Sequence, residues 1–288
     1  MNPSDGTVTP IGIEVRIERG TLLPGRAWCA EQPRGLVAIT HGLGEHGGRY
    51  AALAADLVQA RYTVVALDLP GHGEAPGPRG DVRSWSVLRD QVVPAMLAAS
   101  RGLPGQPMDL PRVLLGHSMG GVLALDFALS HPRELLAVAV SAPALRTTMP
   151  PWWKLTLANV ARVTSPSAGF PNGIDVPGLS RDHEVLRLRA ADPLVHDKIS
   201  PRLYFEFAEA CQRVMRDARR LQVPALLMQG SADRVVDPRG ALEFTGAAPH
   251  GMARLLTYGG AYHELFNDLS RADVVRDLIA WLEAVRVV

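Results

Sequence analysis

The sequence predicts an α/β fold, a mostly parallel sheet with helices on both faces, interrupted once by a mainly helical insertion. Three observations carry this. Short runs of continuous apolar residues recur along the chain, separated by segments of helical spacing, as expected of strands buried on both faces. One run ends in Gly116-His117-Ser118-Met119-Gly120 and passes at once into a helix-like segment, Val122 to Leu129, which is the pattern of a sharp strand-to-helix turn. Between Ala144 and about Asp217 the alternation stops, and Pro150-Pro151, Pro166, Pro171, Pro177 and Pro193 punctuate short helical pieces.

In chain order, Ile11 to Arg19 and Leu22 to Ala30 read as an opening antiparallel pair around Arg19-Gly20-Thr21. Leu36 to Thr40 is a β-branched apolar run that breaks at His41-Gly42-Leu43-Gly44. Tyr50 to Ala60 has helical spacing, and Tyr62 to Leu67 is the next strand, ending in Asp68-Leu69-Pro70-Gly71-His72-Gly73. A helix from about Ser86 to Ser100 precedes the strand Arg112 to Leu115. Ala137 to Val140, Ala225 to Gln229 and Arg254 to Thr257 complete the strands, and a helix from Arg271 to Val285 closes the chain. Within the insertion, helical spacing over Trp152 to Val163 groups Trp153, Leu157 and Val160 on a core-facing side. It leaves Trp152 and Leu155 as an apolar pair on the opposite, more polar side.

Composition narrows the function. At 288 residues and 47% hydrophobic content the chain can bury a large single core. Thirty basic against 29 acidic residues give a net charge of +1, which offers no electrostatic footprint for nucleic acid and no polybasic patch for anionic lipid. Cys29 and Cys211 match no metal or redox spacing, and reduced thiols are expected. Met1-Asn2-Pro3-Ser4-Asp5-Gly6 lacks a basic start followed by an apolar run, and no apolar stretch approaches the ~18 residues of a membrane span. A soluble, cytoplasmic protein is therefore expected.

The strand-to-helix turn carries the chemistry. Holding Ser118 in a strained backbone conformation brings the residues two before and two after it together, which requires Gly116 and Gly120. Ligands of open α/β sheets bind beyond the carboxyl ends of the strands, and for this nucleophile type the chain order is Ser, then Asp or Glu, then His. Of nine histidines, only His250 and His263 come late enough, and only His263 follows the last strand's carboxyl end. Asp233 sits at the preceding strand's end, where a carboxylate can orient His263 and stabilise its imidazolium. Asp237, before Pro238 and the helix-like run Arg239 to Phe244, reads as an N-cap with proline at the first helical position. The oxyanion donors expected are the N–H groups of Met119 and Leu43. His41 and His46 lack the carboxylate or cysteine company of a metal site, and no cofactor or metal is expected. His117 is expected to project away from the nucleophile and pack.

Together these stretches resemble the monoacylglycerol lipase and lysophospholipase branch of the α/β-hydrolases. The resemblance rests on His41-Gly42-Leu43-Gly44-Glu45-His46-Gly47-Gly48-Arg49-Tyr50, Asp68-Leu69-Pro70-Gly71-His72-Gly73 with Gly77-Pro78-Arg79-Gly80, and Gly116 to Gly120. It extends to Leu179-Ser180-Arg181-Asp182, Asp192-Pro193-Leu194-Val195, Gly230-Ser231-Ala232-Asp233 and Tyr262-His263-Glu264. It implies an α/β-hydrolase core in residues 1–145 and 218–288 and a lipid-admitting cap in residues 146–217 that makes transient contact with a membrane surface. Trp152 and Leu155 then line an acyl tunnel, touch lipid or pack within the cap. It also implies Ser118, Asp233 and His263 as a triad and Leu43 and Met119 as the oxyanion hole. Leu69-Pro70 departs from it, since many relatives carry a basic residue before that glycine.

Glu45 and Arg49 keep two readings: a structural ion pair at four-residue spacing, or, from the resemblance, residues that order the oxyanion loop and form a polar wall at a glycerol-like head group. Asp192 and His196 divide similarly, between a helix terminus and that wall. The implied activity is hydrolysis of a single-chain acyl lipid ester, monoacylglycerol or lysophospholipid, through an acyl-enzyme. The alternatives are an amide hydrolase or aminopeptidase of the same fold, which needs an acidic anchor for the substrate amine, and a non-catalytic ligand-binding protein. Dehalogenase and epoxide hydrolase chemistry is disfavoured, because those enzymes carry an aspartate where Ser118 stands.

Overall fold

The computed structural model describes residues 8–146 and 152–285, with the backbone alone for Arg19 and residues 152–157. Eight strands form one sheet in the order β1-β2-β4-β3-β5-β6-β9-β10. They are β1 Ile11–Arg16, β2 Leu22–Trp28, β3 Gly35–Thr40, β4 Tyr62–Leu67, β5 Arg112–His117, β6 Ala137–Ser141, β9 Ala225–Gly230 and β10 Ala253–Tyr258. β1 and β2 pair antiparallel, as does β2 with β4, and every later pairing is parallel.

The continuous apolar runs have a direct physical reading. In β3, Leu36 and Ala38 enter one core while Val37 and Ile39 enter the other, and β4, β5, β6 and β9 alternate in the same way. One core is closed by helices α1 (Ala51–Gln59), through Leu53 and Leu57, and α9 (Arg271–Ala284), through Val274, Leu278 and Leu282. The other is closed by α2 (Trp85–Val87), α3 (Val93–Ala98), α4 (Met119–Ser130) and α8 (Arg239–Ala247). α4 is apolar all round because it lies between the sheet and a further helix, α7 (Pro201–Asp217), which buries Leu203, Ala210 and Val214. Its one acid, Asp126, is buried and receives Trp85 Nε1 at 2.9 Å and Arg213 Nε at 2.9 Å.

The sequence expectations fail in a few places. The helix expected from Ser86 to Ser100 widens into a π-turn over Leu88–Val92, where the Val93 N–H bonds to Leu88 O. Pro94 supplies no N–H and crowds the carbonyl one turn back, so the ladder must open there. β1 stops at Arg16, and a 3₁₀ turn follows over Glu18–Gly20. The N-cap before α8 is Pro238, although Asp237 Oδ1 does accept the Arg239 N–H at 3.0 Å.

Between β6 and β9 lies an insertion of α5 (Trp152–Thr164), α6 (His183–Ala191), α7 and a two-stranded antiparallel pair, β7 (Phe170–Pro171) with β8 (Lys198–Ile199). Val160 on α5 is 58% exposed, which overturns its expected core-facing place. The half-buried residues of that helix include Ala158 and Ala161, so small side chains, invisible to a search for large apolar ones, lie on its inward side.

Candidate active site

Ser118 takes φ 53° and ψ −117°, a left-handed conformation costly for a residue with a Cβ, and it ends β5 and starts α4. The turn closes because its flanking glycines have no side chains. A Cβ on Gly116 would lie 2.2 Å from Gly120 O, and one on Gly120 would lie 2.1 Å from Thr40 O. Ser118 N donates to Ser141 O at 3.0 Å, while Ser118 O accepts from Gly121 N at 3.0 Å and Ala144 N at 3.2 Å. The strained residue is thus pinned from β6 and α4 at once.

His263 and Asp233 meet from the ends of β10 and β9. His263 Nδ1 lies 2.8 Å from Asp233 Oδ2, and both side chains are shielded from solvent. Asp233 Oδ1 accepts the N–H groups of Val235 (2.8 Å) and Val236 (3.0 Å), and Oδ2 also accepts Gln229 Nε2 at 3.0 Å. Burial pushes the Asp233 carboxyl up, but His263 and those two amides outweigh it and hold the group below its usual range. An ionised carboxylate on Nδ1 fixes the tautomer that leaves Nε2 unprotonated. Asp237 instead pairs with Arg239 and Arg146, away from His263.

The space at Ser118 and His263 is a narrow cavity of about 20 Å³, room for roughly one water. Gly42, Leu43, Glu45, Arg49 and His117 line it from the core, and Ile174, Leu179 and Arg189 from the insertion, with Glu264 beside His263. His117 does not project away, as expected from sequence. Its ring centroid is 4.8 Å from that of His263, and its Nδ1 donates to Ser141 O at 3.1 Å. The left-handed turn at Ser118 breaks the strand's alternation and brings both side chains to one side. Burial, reinforced by His263, pushes the His117 imidazole down to about 4, so it stays neutral beside the second ring.

Leu43 stands between two anchored neighbours. Gly42 N donates to Glu45 Oε1 at 2.6 Å, and Gly44, at φ 75°, accepts the His196 N–H from the insertion at 2.9 Å. Met119, the other expected donor, opens α4, where the first N–H groups lack partners within the helix. His41 is a scaffold for this loop, with Nε2 accepting the Leu69 N–H at 2.9 Å and Nδ1 donating to Gly42 O at 2.8 Å.

Glu45 and Arg49 do form an ion pair, at 2.6 Å, and they also border the cavity. Tyr50 OH donates to Glu45 Oε1 at 2.8 Å. Arg49 further clamps Glu264 with two bonds, Nη1 to Oε1 at 2.9 Å and Nη2 to Oε2 at 2.7 Å. One buried guanidinium therefore ties the Gly42–Glu45 loop to the residue after His263. Asp192 is the C-cap of α6, and it accepts His46 Nε2 at 2.8 Å, joining insertion to core. His196 reaches Gly71 O at 3.2 Å. The Trp152 and Leu155 side chains lie outside the described residues.

Glu264, Arg189 and Gln229 were not singled out from sequence. Glu264 directly follows His263, but its partner Arg49 lies 215 positions away, which no local pattern reports. Gln229 carried a fainter signal, as a polar residue near the end of an otherwise apolar strand.

A mostly parallel sheet with a strained serine after β5, an Asp–His pair after β9 and β10, and an insertion over the strand ends defines an α/β-hydrolase. The family described as "Serine aminopeptidase, S33" matches residues 31–270, and the chain belongs to it. Among its relatives, a monoacylglycerol lipase of Mycolicibacterium smegmatis is 32% identical over 87% of this chain and 88% of its own length. Phospholipase YtpA of Bacillus subtilis is 33% identical over 86% of this chain and 95% of its own. The crystal structure of Paleococcus ferrophilus monoacylglycerol lipase superposes with a TM-score of 0.82 at 31% identity, covering 91% of this chain and 99% of that one. The resemblance read from the motifs is borne out.

Proposed function

We propose that the protein is a serine ester hydrolase that cleaves single-chain acyl lipids, monoacylglycerol or lysophospholipid, through an acyl-enzyme. The observation that carries this reading is the union in one cavity of a strained Ser118 and a His263 oriented by a buried, ionised Asp233. Relatives named monoacylglycerol lipase and phospholipase support the substrate class.

In this mechanism Ser118 Oγ attacks the ester carbonyl as His263 Nε2 takes its proton. The N–H groups of Leu43 and Met119 stabilise the oxyanion. The tetrahedral adduct collapses, the C–O bond to the alcohol breaks, and the imidazolium returns its proton to the leaving oxygen. Water then enters, gives a proton to His263 and attacks the acyl-enzyme, and collapse of the second adduct releases the fatty acid and restores Ser118. Asp233 stays ionised throughout and holds the imidazolium. Glu45 and Arg49 order the oxyanion loop and border the alcohol side.

Residues 146–217 serve as the cap over residues 1–145 and 218–288. Trp152 and Leu155 line the acyl route, and exposed Val160, Val163 and Phe170 on the same insertion support transient contact with a membrane surface. A cytoplasmic location is part of this proposal; no helix among the described residues is long and apolar enough to cross a membrane.

The aminopeptidase reading, suggested by the family's description, needs a free acidic anchor. Both carboxylates bordering the cavity, Glu45 and Glu264, are already engaged by Arg49. Hydrolysis of mono-oleoylglycerol, lysophosphatidylcholine, p-nitrophenyl butyrate and an aminoacyl amide, compared in one assay, tests the reading. Turnover of the esters with none of the amide is expected; amide turnover exceeding every ester would replace it.

A further inference from the structure

We propose that Gln229 is a positioning residue for the catalytic acid, an inference that rests on the triad reading above. Gln229 is 1% exposed, next to last in the apolar strand β9, and its Nε2 donates to Asp233 Oδ2 at 3.0 Å. The same oxygen receives His263 Nδ1 at 2.8 Å, while Oδ1 takes the Val235 and Val236 amides at 2.8 and 3.0 Å. Four donors on two oxygens leave the carboxylate no freedom to rotate. Of these, only Gln229 and His263 act on Oδ2, so the amide fixes the oxygen that aims the imidazole.

The cost on the other side of the amide argues for this role. Gln229 Oε1 is buried and has no hydrogen-bond partner among the described residues. Turning the amide over would not relieve this, because it would set Oε1 against the Asp233 carboxylate. An apolar side chain of the same length would fill the site without stranding an acceptor. Packing alone therefore favours methionine here, and the amide is explained by the bond it gives to Asp233. Gly230, next along the strand, brings the base loop close, since a Cβ there would lie 2.4 Å from both Ala261 O and Tyr262 O. The acid, its amide anchor and the His263 loop thus form one packed unit.

The test compares Gln229→Met and Gln229→Glu with wild type on p-nitrophenyl butyrate from about pH 5 to 9, alongside melting temperatures and a Ser118→Ala control. Gln229→Met keeps the volume and removes the donor. Its kcat should fall roughly tenfold at every pH, with KM within about twofold and no loss of melting temperature. In Gln229→Glu the introduced carboxyl, when protonated, can donate the same bond, so activity relative to wild type should be near one at the acid end. As that group ionises against Asp233 the two carboxylates repel, and relative activity should fall by a further ten- to hundred-fold as pH rises. A purely structural role would give neither the kcat-only loss nor the new alkaline limb. Wild-type kcat in Gln229→Met, or a pH-independent ratio in a folded Gln229→Glu, overturns the proposal. If Gln229→Glu fails to fold, the kcat against KM split in Gln229→Met decides alone. Residual activity in Ser118→Ala would instead overturn the triad reading itself.

Discussion

Replacing Arg49 with methionine probes how charge organises the site. Arg49 contributes three hydrogen bonds, one to Glu45 at 2.6 Å and two to Glu264 at 2.9 and 2.7 Å, and both carboxylates are only 5% exposed. In the wild-type chain burial pushes both carboxyls up, and Arg49 more than offsets it, joined at Glu45 by His117, His41 and the Gly42 amide. Both folded pKa values are therefore depressed. They stabilise the fold above the unfolded value of about 4.3, and that stability is lost as pH falls through the folded values.

In Arg49→Met the opposition to burial weakens: Glu45 keeps the Gly42 amide and Tyr50 OH, and Glu264 keeps Asn267 Nδ2 at 3.1 Å, while Arg189 lies 3.9 Å from Glu264. Both folded pKa values then rise from their wild-type positions, so less stability is gained as pH rises through the carboxylate range and the wild-type slope flattens. Removing one partner of a buried pair costs about 3–5 kcal/mol. At about 2 °C per kcal/mol for a chain of this size, the melting temperature at neutral pH should fall by roughly 6–10 °C. The oxyanion loop and the His263 loop lose their common tie together. kcat/KM should therefore fall roughly ten- to hundred-fold, equally for mono-oleoylglycerol and p-nitrophenyl oleate. Melting scans from pH 4 to 8 and the two kinetic assays check this. An unchanged stability slope, with a loss confined to the glycerol ester, would refute the ordering role and leave head-group recognition.

Three further perturbations follow from the geometry. Asp233→Asn should lower kcat by roughly 10²–10⁴-fold with little change in melting, whereas Asp237→Asn should be nearly silent in both, because asparagine accepts an N-terminal amide about as well; the reverse pattern in paired rate and melting measurements would reassign the acid. Gly120→Ala places a Cβ 2.1 Å from Thr40 O and should destabilise at or beyond the upper end of roughly 1–3 kcal/mol, while Gly246→Ala, with nothing within 4 Å, should stabilise by about 0.5–1 kcal/mol; denaturant midpoints of the two variants decide it. Replacing Trp152 and Leu155 together with serine should depress oleoyl ester hydrolysis at least tenfold more than butyryl ester hydrolysis, since each acyl methylene that loses apolar contact costs ~0.8 kcal/mol, and equal losses on both would remove the pair from the proposed acyl route.

The central sheet was legible because its strands are apolar on both faces, and such runs stand out in any window. Tyr62–Leu67 was placed to the residue, and the strands carrying Ser118 and Asp233 to within two. That Ser118, Asp233 and His263 come together in one place follows from each lying just past a strand end, where the fold gathers its ligands. What remained hidden is non-local or small. The Arg49–Glu264 clamp spans 215 positions, and the β7–β8 pair has two residues per strand, too few to show a period. Ala158 and Ala161 carry too little apolar surface to mark a helix face, and His117 was misjudged because strand alternation was carried through a residue with positive φ. The string Asp68 to Gly73, one of those that carry the resemblance, is scaffolding. Asp68 accepts the Gly47 and Glu74 amides at 2.9 Å each, and a Cβ on Gly73 would lie 2.2 Å from its Oδ2.

The central claim is that Ser118, activated by His263 and Asp233, forms a covalent acyl intermediate. Intact-mass measurement after incubation with a fluorophosphonate tests it most directly. One adduct per wild-type chain is expected, mapped by peptide digestion to the segment containing Ser118. Ser118→Ala should take up no label and lose roughly 10⁴–10⁶-fold in kcat. An unlabelled wild-type chain that still hydrolyses esters, or a Ser118→Ala chain retaining more than a few per cent of activity, would contradict the account.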